Sequence, residues 1–365
     1  MTNLYIKAIT TFTLLALLLS LLLRAAHAED TAPAVSAQSA VLYEGESDTV
    51  LWEKQASLRL PMASTTKIMT ALAVLSVLDP AQTVAVPKGA VGVEGSSAYL
   101  REGEIFTVEA LLYALLLQSA NDAAVALAIA ADGTTEAFAA RMNALAEQHG
   151  AKETHFENPH GLHDEAHYTT ARDLAKITAA ALREPLLAKI FSTKSYSYRS
   201  SLCRRTFHNH NKLLSLSADA IGVKTGFTKA GGRCLVGAAE RDGLTLISVT
   251  LNAPNDWHDH LSLWEYGFSH YERRILCESG AVKETVPVSG AYAPFAELTN
   301  GESLSVLLPK GKKVSQVVDV LPLPSLPLYK DTPVGCLRFF ADGREIGSVP
   351  LLVTHDVLPA RIKKR

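Results

Sequence analysis

Three short stretches carry side chains that together could supply a nucleophile, a base and an anion-binding charge. In Pro61-Met62-Ala63-Ser64-Thr65-Thr66-Lys67-Ile68-Met69-Thr70 a hydroxyl precedes an ammonium by three residues, a separation that puts both on one face of a helix. Ile68, Met69, Ala71 and Leu72 crowd the lysine with apolar atoms, and burial disfavours its charged form. A neutral lysine beside a serine is a base beside a nucleophile. Taken alone, the pair is more simply a helix cap followed by a solvated lysine. The other two stretches are Ser119-Ala120-Asn121 and Lys224-Thr225-Gly226. Each by itself also has a plainer reading, a helix cap for the first and a strand end for the second.

The elements around these stretches decide whether they can meet. Ser39 to Tyr43 and Thr49 to Trp52 read as two strands joined by the turn Glu44-Gly45-Glu46-Ser47-Asp48, a hairpin. The helix carrying Ser64 follows and is closed by Asp79-Pro80. Thr107 to Leu117 and Asp122 to Ala131 are two apolar helices that belong in the centre of a helical layer. Ser119 and Asn121 sit at the joint between them. Thr135 to His149 is an amphipathic helix, and Ala151 to His167 a His- and Asn-rich loop. Its histidines are too irregularly spaced for a metal site and read as surface or loop-packing residues. Thr170-Ala171-Arg172-Asp173 resembles a capping box before a helix to about Leu182. Ala220 to Thr228 reads as strand and turn, followed by strands Arg233 to Glu240 and Leu244 to Leu251 across the turn Arg241-Asp242-Gly243. Lys224 therefore lies on a strand of the same antiparallel sheet.

At 365 residues, 48% hydrophobic and 20% charged, the chain has the length of two domains. A formal net charge of -2 gives no reason to expect nucleic acid. Cys203, Cys234, Cys277 and Cys336 are scattered, unlike a zinc site; their number permits disulfides, and Cys234 in its apolar run is at least as readily a buried thiol. Lys7, the apolar run Ala8 to Leu23 and Ala26-His27-Ala28 read as a signal peptide, residues 1–28, cleaved after Ala28. Export to the cell envelope or periplasm follows.

The order of the three stretches is more telling than any one of them. Serine and lysine three apart at a helix start, Ser-x-Asn at a helix joint, and Lys-Thr-Gly on an edge-like strand form the set found in penicillin-binding proteins and class A β-lactamases. With the flanks Ser119-Ala120-Asn121-Asp122-Ala123-Ala124 and Phe156-Glu157-Asn158-Pro159-His160-Gly161-Leu162, nearly the whole chain after residue 28 resembles the low-molecular-mass serine D-alanyl-D-alanine carboxypeptidases of the penicillin-binding-protein-5-like group. The resemblance implies an α+β catalytic domain, antiparallel sheet with helical layers, over residues 29–275, and a small all-β C-terminal domain over 276–365. It implies removal of the terminal D-alanine from peptidoglycan stem peptides ending in D-Ala-D-Ala through an acyl-enzyme on Ser64, with β-lactams as covalent inhibitors. Lys67 would be the base and Ser119 a proton relay. Asn121, Lys224, Thr225, Gly226, Phe227 and Thr228 would bind substrate, with Phe227 offering a second oxyanion donor beside Ser64. No metal or organic cofactor is called for.

Two departures weigh on this reading. Some members carry an arginine after the strand matching Leu244 to Leu251 that helps hold the substrate carboxylate; here Asn252-Ala253-Pro254-Asn255 stands there. The second motif has Ala120 and the loop before Thr169 has no Glu-x-x-Leu-Asn, so fast β-lactam hydrolysis is not expected. A non-catalytic penicillin or muropeptide receptor and a weak β-lactamase are the alternatives. Asp256 to Tyr271 reads as a helix with Leu261, Trp264 and Phe268 on one face. Beyond Leu276, strand candidates at 286–288, 304–308, 314–320, 335–340 and 346–353 suggest a β-sandwich. After Pro359 only Ala360-Arg361-Ile362-Lys363-Lys364-Arg365 remains, enough for weak peripheral contact with anionic lipid and too short for an inserted amphipathic helix.

Overall fold

In the computed structural model, residues 32–320 and 326–360 are described. The signal peptide expected over residues 1–28 and the basic residues 361–365 lie outside them, and everything below belongs to the unit Val35–Arg365. The part of the chain up to residue 270 is built on a five-stranded antiparallel sheet, which takes its strands from both ends of that part. These are β1 (Ser39–Glu44), β2 (Thr49–Lys54), β7 (Ala220–Thr228), β8 (Gly232–Arg241) and β9 (Leu244–Leu251), in the order β2-β1-β9-β8-β7. Strand residues alternate between faces, and both faces are covered here. Val41, Val236 and Val249 join one core, while Leu42, Leu235 and Leu246 join another. That is why these strands read as near-continuous apolar runs.

The first core holds the helical lobe. A 3-10 turn, Ala63–Thr66, leads into α1 (Lys67–Leu75). The short strands β3 (Thr83–Ala85) and β4 (Ile105–Thr107) pair, and Thr107 caps α2 (Val108–Leu117) by accepting from the Ala110 N–H. Next come α3 (Asn121–Asp132), α4 (Thr135–Gln148), α5 (Ala171–Arg183) and α6 (Pro185–Ser192). Thr170 caps α5 through the Asp173 N–H at 3.1 Å. The other half of the expected capping box is absent: the Asp173 carboxylate turns away to accept from the Glu153 N–H and the Thr154 hydroxyl. Among the described residues no single helix is long and apolar enough to cross a membrane; α3 and α4 together pass such a test but meet at 84°, and α3 is buried over most of its length. The segment 195–207 is a hairpin, β5 (Ser195–Arg199) with β6 (Arg204–His208), and α7 (Leu213–Leu216) leads back to the sheet. On the second face α8 (Asp256–His270) packs Leu263, Trp264 and Phe268 against the sheet.

β10 (Tyr271–Cys277) continues directly from α8, so a domain junction at 275/276 falls inside a strand. It pairs with β13 (Leu304–Pro309), and β11 (Glu284–Pro287), β12 (Phe295–Asn300), β14 (Ser315–Val320), β15 (Pro333–Ala341) and β16 (Arg344–Val353) form a second sheet. Neither β10 nor β12 was expected from sequence. The alternation in β12, Ala296 and Leu298 in and Glu297 out, spans too few residues to stand out. Arg273 of β10 bridges to Glu44 at 3.2 Å and Glu46 at 2.7 Å, and donates to the Ser305 hydroxyl. The four cysteines are unpaired, and burial raises the Cys234 thiol to about 11.

Candidate active site

Ser64 stands in the 3-10 turn and not in the helix proper, and its side chain makes no cap. The plainer reading of this stretch therefore fails at both residues, because Lys67 is fully buried. The turn is bent sharply: Ala63 has a left-handed backbone, φ 50°. It is braced from behind by a chain of hydrogen bonds. Glu157 donates its N–H to His167 Nδ1 at 3.0 Å, which leaves the ring proton on Nε2 to reach Thr66 Oγ1 at 2.8 Å. Thr66 in turn donates to the Ala63 carbonyl at 2.7 Å. Burial holds His167 neutral, its pKa lowered to about 4.

The Lys67 amine has three neighbours within hydrogen-bond reach. Ser64 Oγ lies at 3.0 Å, Asn121 Oδ1 at 2.7 Å and the His160 carbonyl at 2.6 Å. Asn121 is turned oxygen-first because its Nδ2 donates to the Glu94 carbonyl at 2.5 Å. Two of the three partners can only accept. In its neutral form the amine has two N–H groups and one lone pair, so with both N–H groups given to Asn121 and His160 the lone pair would face the Ser64 hydroxyl. Burial, reinforced by the nearby charge of Lys224 and opposed by Asp122, pushes the Lys67 pKa well below its ordinary value.

Ser119 occupies the break between α2 and α3 with φ 59° and 5% exposure. The Asn121 N–H beyond it donates to the Ser96 carbonyl at 2.7 Å. On the opposite side β7 runs close to the nucleophile turn. A Cβ on Gly226 would lie 3.0 Å from the Ser64 nitrogen and 3.1 Å from that of Thr65, so any side chain here would press the backbone of the Ser64 turn. Two residues earlier Lys224 is buried, its amine donating to the Thr225 carbonyl at 2.8 Å, and burial lowers its pKa to about 7. Thr228 Oγ1 accepts from the Gly231 N–H at 2.9 Å, leaving its own O–H free to donate. The Phe227 side chain is exposed. Thus Ser64, Lys67 and Asn121 share one hydrogen-bonded cluster, with Gly226 packed against it.

Sequence reasoning used the 156–162 loop only as part of the family resemblance and gave it no role in the site, whose floor it closes. Asn158 folds it by accepting from the Gly161 N–H at 2.7 Å and donating to the Leu162 carbonyl at 3.0 Å. His160 then presents its carbonyl to Lys67, and Pro159 its carbonyl to Thr70 at 2.6 Å. The available signal was the Asn-Pro-His-Gly string, a turn former, rather than its histidine. Among the described residues no group of three or more His, Cys, Asp or Glu side chains is placed to hold a metal.

A helical lobe and an antiparallel sheet meeting at a serine whose hydroxyl faces a buried lysine of lowered proton affinity fit a serine acyltransferase of the penicillin-binding class. The comparisons with known proteins narrow this. A family model described as D-alanyl-D-alanine carboxypeptidase matches residues 26–255, and one described as the C-terminal domain of penicillin-binding protein 5 matches residues 271–358. The chain is 31% identical to D-alanyl-D-alanine carboxypeptidase DacF of Bacillus subtilis, over 89% of this chain and 86% of that one. It is 30% identical to D-alanyl-D-alanine carboxypeptidase DacA of Escherichia coli, over 91% and 88%. The crystal structure of penicillin-binding protein 5 from Haemophilus influenzae superimposes with a TM-score of 0.71 at 29% identity, covering 90% of this chain and 99% of that one. The chain belongs to the D-alanyl-D-alanine carboxypeptidase family of serine-type, penicillin-binding enzymes.

Proposed function

We propose that the protein removes the terminal D-alanine from peptidoglycan stem peptides ending in D-Ala-D-Ala, with Ser64 as nucleophile and Lys67 as its base. The observation that carries this is the Lys67 amine 3.0 Å from Ser64 Oγ while its other two neighbours can only accept. Ser64 Oγ attacks the carbonyl of the penultimate D-alanine as its proton passes to Lys67 Nζ. The backbone N–H groups of Ser64 and Phe227 stabilise the oxyanion, the narrow gap at Gly226 bringing the two segments together. The C–N bond to the terminal D-alanine breaks as the proton returns to the leaving amine through Ser119. Water then cleaves the ester, with Lys67 again the base. Asn121 orients Lys67 and meets the substrate amide, and Lys224, Thr225 and Thr228 take the free carboxylate. β-Lactams acylate the same serine.

We place the catalytic division in the first domain, up to the helix ending at His270, and the C-terminal β unit as a spacer or docking surface. Export through residues 1–28 would put the enzyme in the cell envelope, with loose, salt-sensitive membrane contact through the basic residues 361–365. A high-salt wash of the membrane fraction that fails to release it overturns that last point. The test of function is fluorescent-penicillin labelling together with mass detection of D-alanine released from a peptide ending in D-Ala-D-Ala. The parent protein should do both and Ser64→Ala neither. Labelling without D-alanine release would make it a receptor, and rapid turnover of a chromogenic cephalosporin a β-lactamase.

A further inference from the structure

Asp122 follows Asn121 at the start of α3 and is 1% exposed, yet no step above uses it. A carboxylate this deep needs donors or it neutralises. Four donors meet it. Oδ1 accepts from the N–H groups of Ala98 at 3.0 Å and Ala123 at 2.9 Å, and Oδ2 accepts from the Leu100 N–H at 3.0 Å and the Ser97 hydroxyl at 2.6 Å. Three of the four come from one short stretch, Ser97 to Leu100. The preceding residues of that stretch hang on Asn121, through the Glu94 and Ser96 carbonyls. Two adjacent residues therefore hold the whole of 94–100, and one of them also holds the Lys67 amine. Between the two clamped N–H groups Tyr99 is forced into a left-handed conformation, φ 55°, with its side chain 79% exposed. That conformation is disfavoured for a bulky residue and persists where its surroundings over-determine it.

We propose that Asp122 is a positioning residue for acylation: its carboxylate fixes the 94–100 segment against Asn121 and supplies the negative charge that balances the Lys67 amine. The proposal rests on Ser64 and Lys67 being the nucleophile and base. The amine is faced by Lys224 from β7, by Asp122 from α3 and by His160 from the 151–170 segment, with His167 behind Thr66. Arg205 of β6 faces Asp122, donates to the Ala98 carbonyl at 2.8 Å and pairs with the buried Glu104. Of these, the charge of Lys224 favours the neutral amine and that of Asp122 favours the ammonium. Without the Asp122 charge, Lys67 gives up its proton at lower pH and is a weaker base.

The experiment is the second-order rate of acylation by a fluorescent penicillin, followed from acid to neutral pH. In Asp122→Asn the acid limb should move to lower pH and the plateau should fall about tenfold or more, because a loosened Asn121 misplaces the base. In Asp122→Glu, which keeps the charge, and in Ser97→Ala, which removes one clamp bond, the plateau should fall while the limb stays in place. A folded Asp122→Asn whose limb coincides with that of the parent overturns the proposal, as does a limb moved equally by Ser97→Ala. If Asp122→Asn does not fold, parent-like plateaus in both other variants overturn it. A parent protein that takes no label overturns the assignment of Ser64 itself, a distinct result.

Discussion

Substituting alanine for Gly161 puts the geometry of the site to a quantitative test. Gly161 has φ +87°, and a Cβ there would lie 2.0 Å from the Ala63 carbonyl oxygen, 2.5 Å from the Ala63 carbonyl carbon and 2.8 Å from Thr66 Oγ1. Ordinary contact begins near 3.4 Å, so two backbone segments must part by more than 1 Å. Neither is free to move. Ala63 is the residue before Ser64 and accepts the Thr66 hydroxyl, while the neighbouring His160 carbonyl holds the Lys67 amine. The strain of the left-handed position costs about 1 kcal/mol and the overpacking another ~1–3 kcal/mol. A displacement of the nucleophile on the 1 Å scale costs roughly 100-fold in rate. The variant should remain folded with a lowered Tm, and its fluorescent-penicillin acylation should slow by about two orders of magnitude. A folded Gly161→Ala acylating within about threefold of the parent would falsify the claim that the 158–162 loop sets the position of Ser64.

Lys224 has its pKa lowered to about 7 by burial, so its charge is present below that pH and lost above it. For a substrate with a free carboxylate, kcat/KM should therefore decline as pH rises through about 7, and Lys224→Arg, which keeps its charge, should carry the plateau further. A profile flat across this range in the parent counts against carboxylate capture by Lys224. His260 is buried neutral between Ser248 at 2.6 Å and Thr250 at 3.0 Å, its pKa lowered by burial from 6.5 to about 3. The unfolded chain binds a proton that the folded one refuses, so stability is full above pH 6.5 and is lost as pH falls toward 3. The loss has an upper bound of ~5 kcal/mol. Denaturant titrations should show a shallower acid loss in His260→Gln; an unchanged slope refutes this assignment. Arg273→Ala leaves the buried Glu44 without its cation, though Ser47 still donates to it at 2.7 Å. A loss of ~1–3 kcal/mol and faster proteolysis near 271–277 should follow, and a variant as stable as the parent would remove this bridge from the account.

Much of the architecture was legible because its signals are local. The β1–β2 hairpin, the apolar pair α2 and α3 and the β8–β9 hairpin each show their period or turn residues within a dozen positions. Each of the three motif stretches was too short to be distinctive, and only their order pointed to a site. β10 was hidden because it runs on from α8 without a breaker. The half-formed capping box at Thr170 failed because Asp173 found better-placed donors from a segment about twenty residues away in the chain.

The sequence by itself determined the residue types and the local shapes that carry them: a serine and lysine one turn apart, a glycine on a strand, an asparagine at a helix joint. The tertiary structure decided what those residues are chemically. Lys67 has the lowered proton affinity that the proposed base needs because it is buried and near Lys224, and it is oriented by acceptors from Asn121 and the His160 backbone. Those partners come from three separate parts of the chain, and proton affinity depends on the dielectric and charges in space rather than on neighbours in sequence. For the same reason Asp122 looked like an ordinary first-turn acid until the fold brought four donors onto its carboxylate.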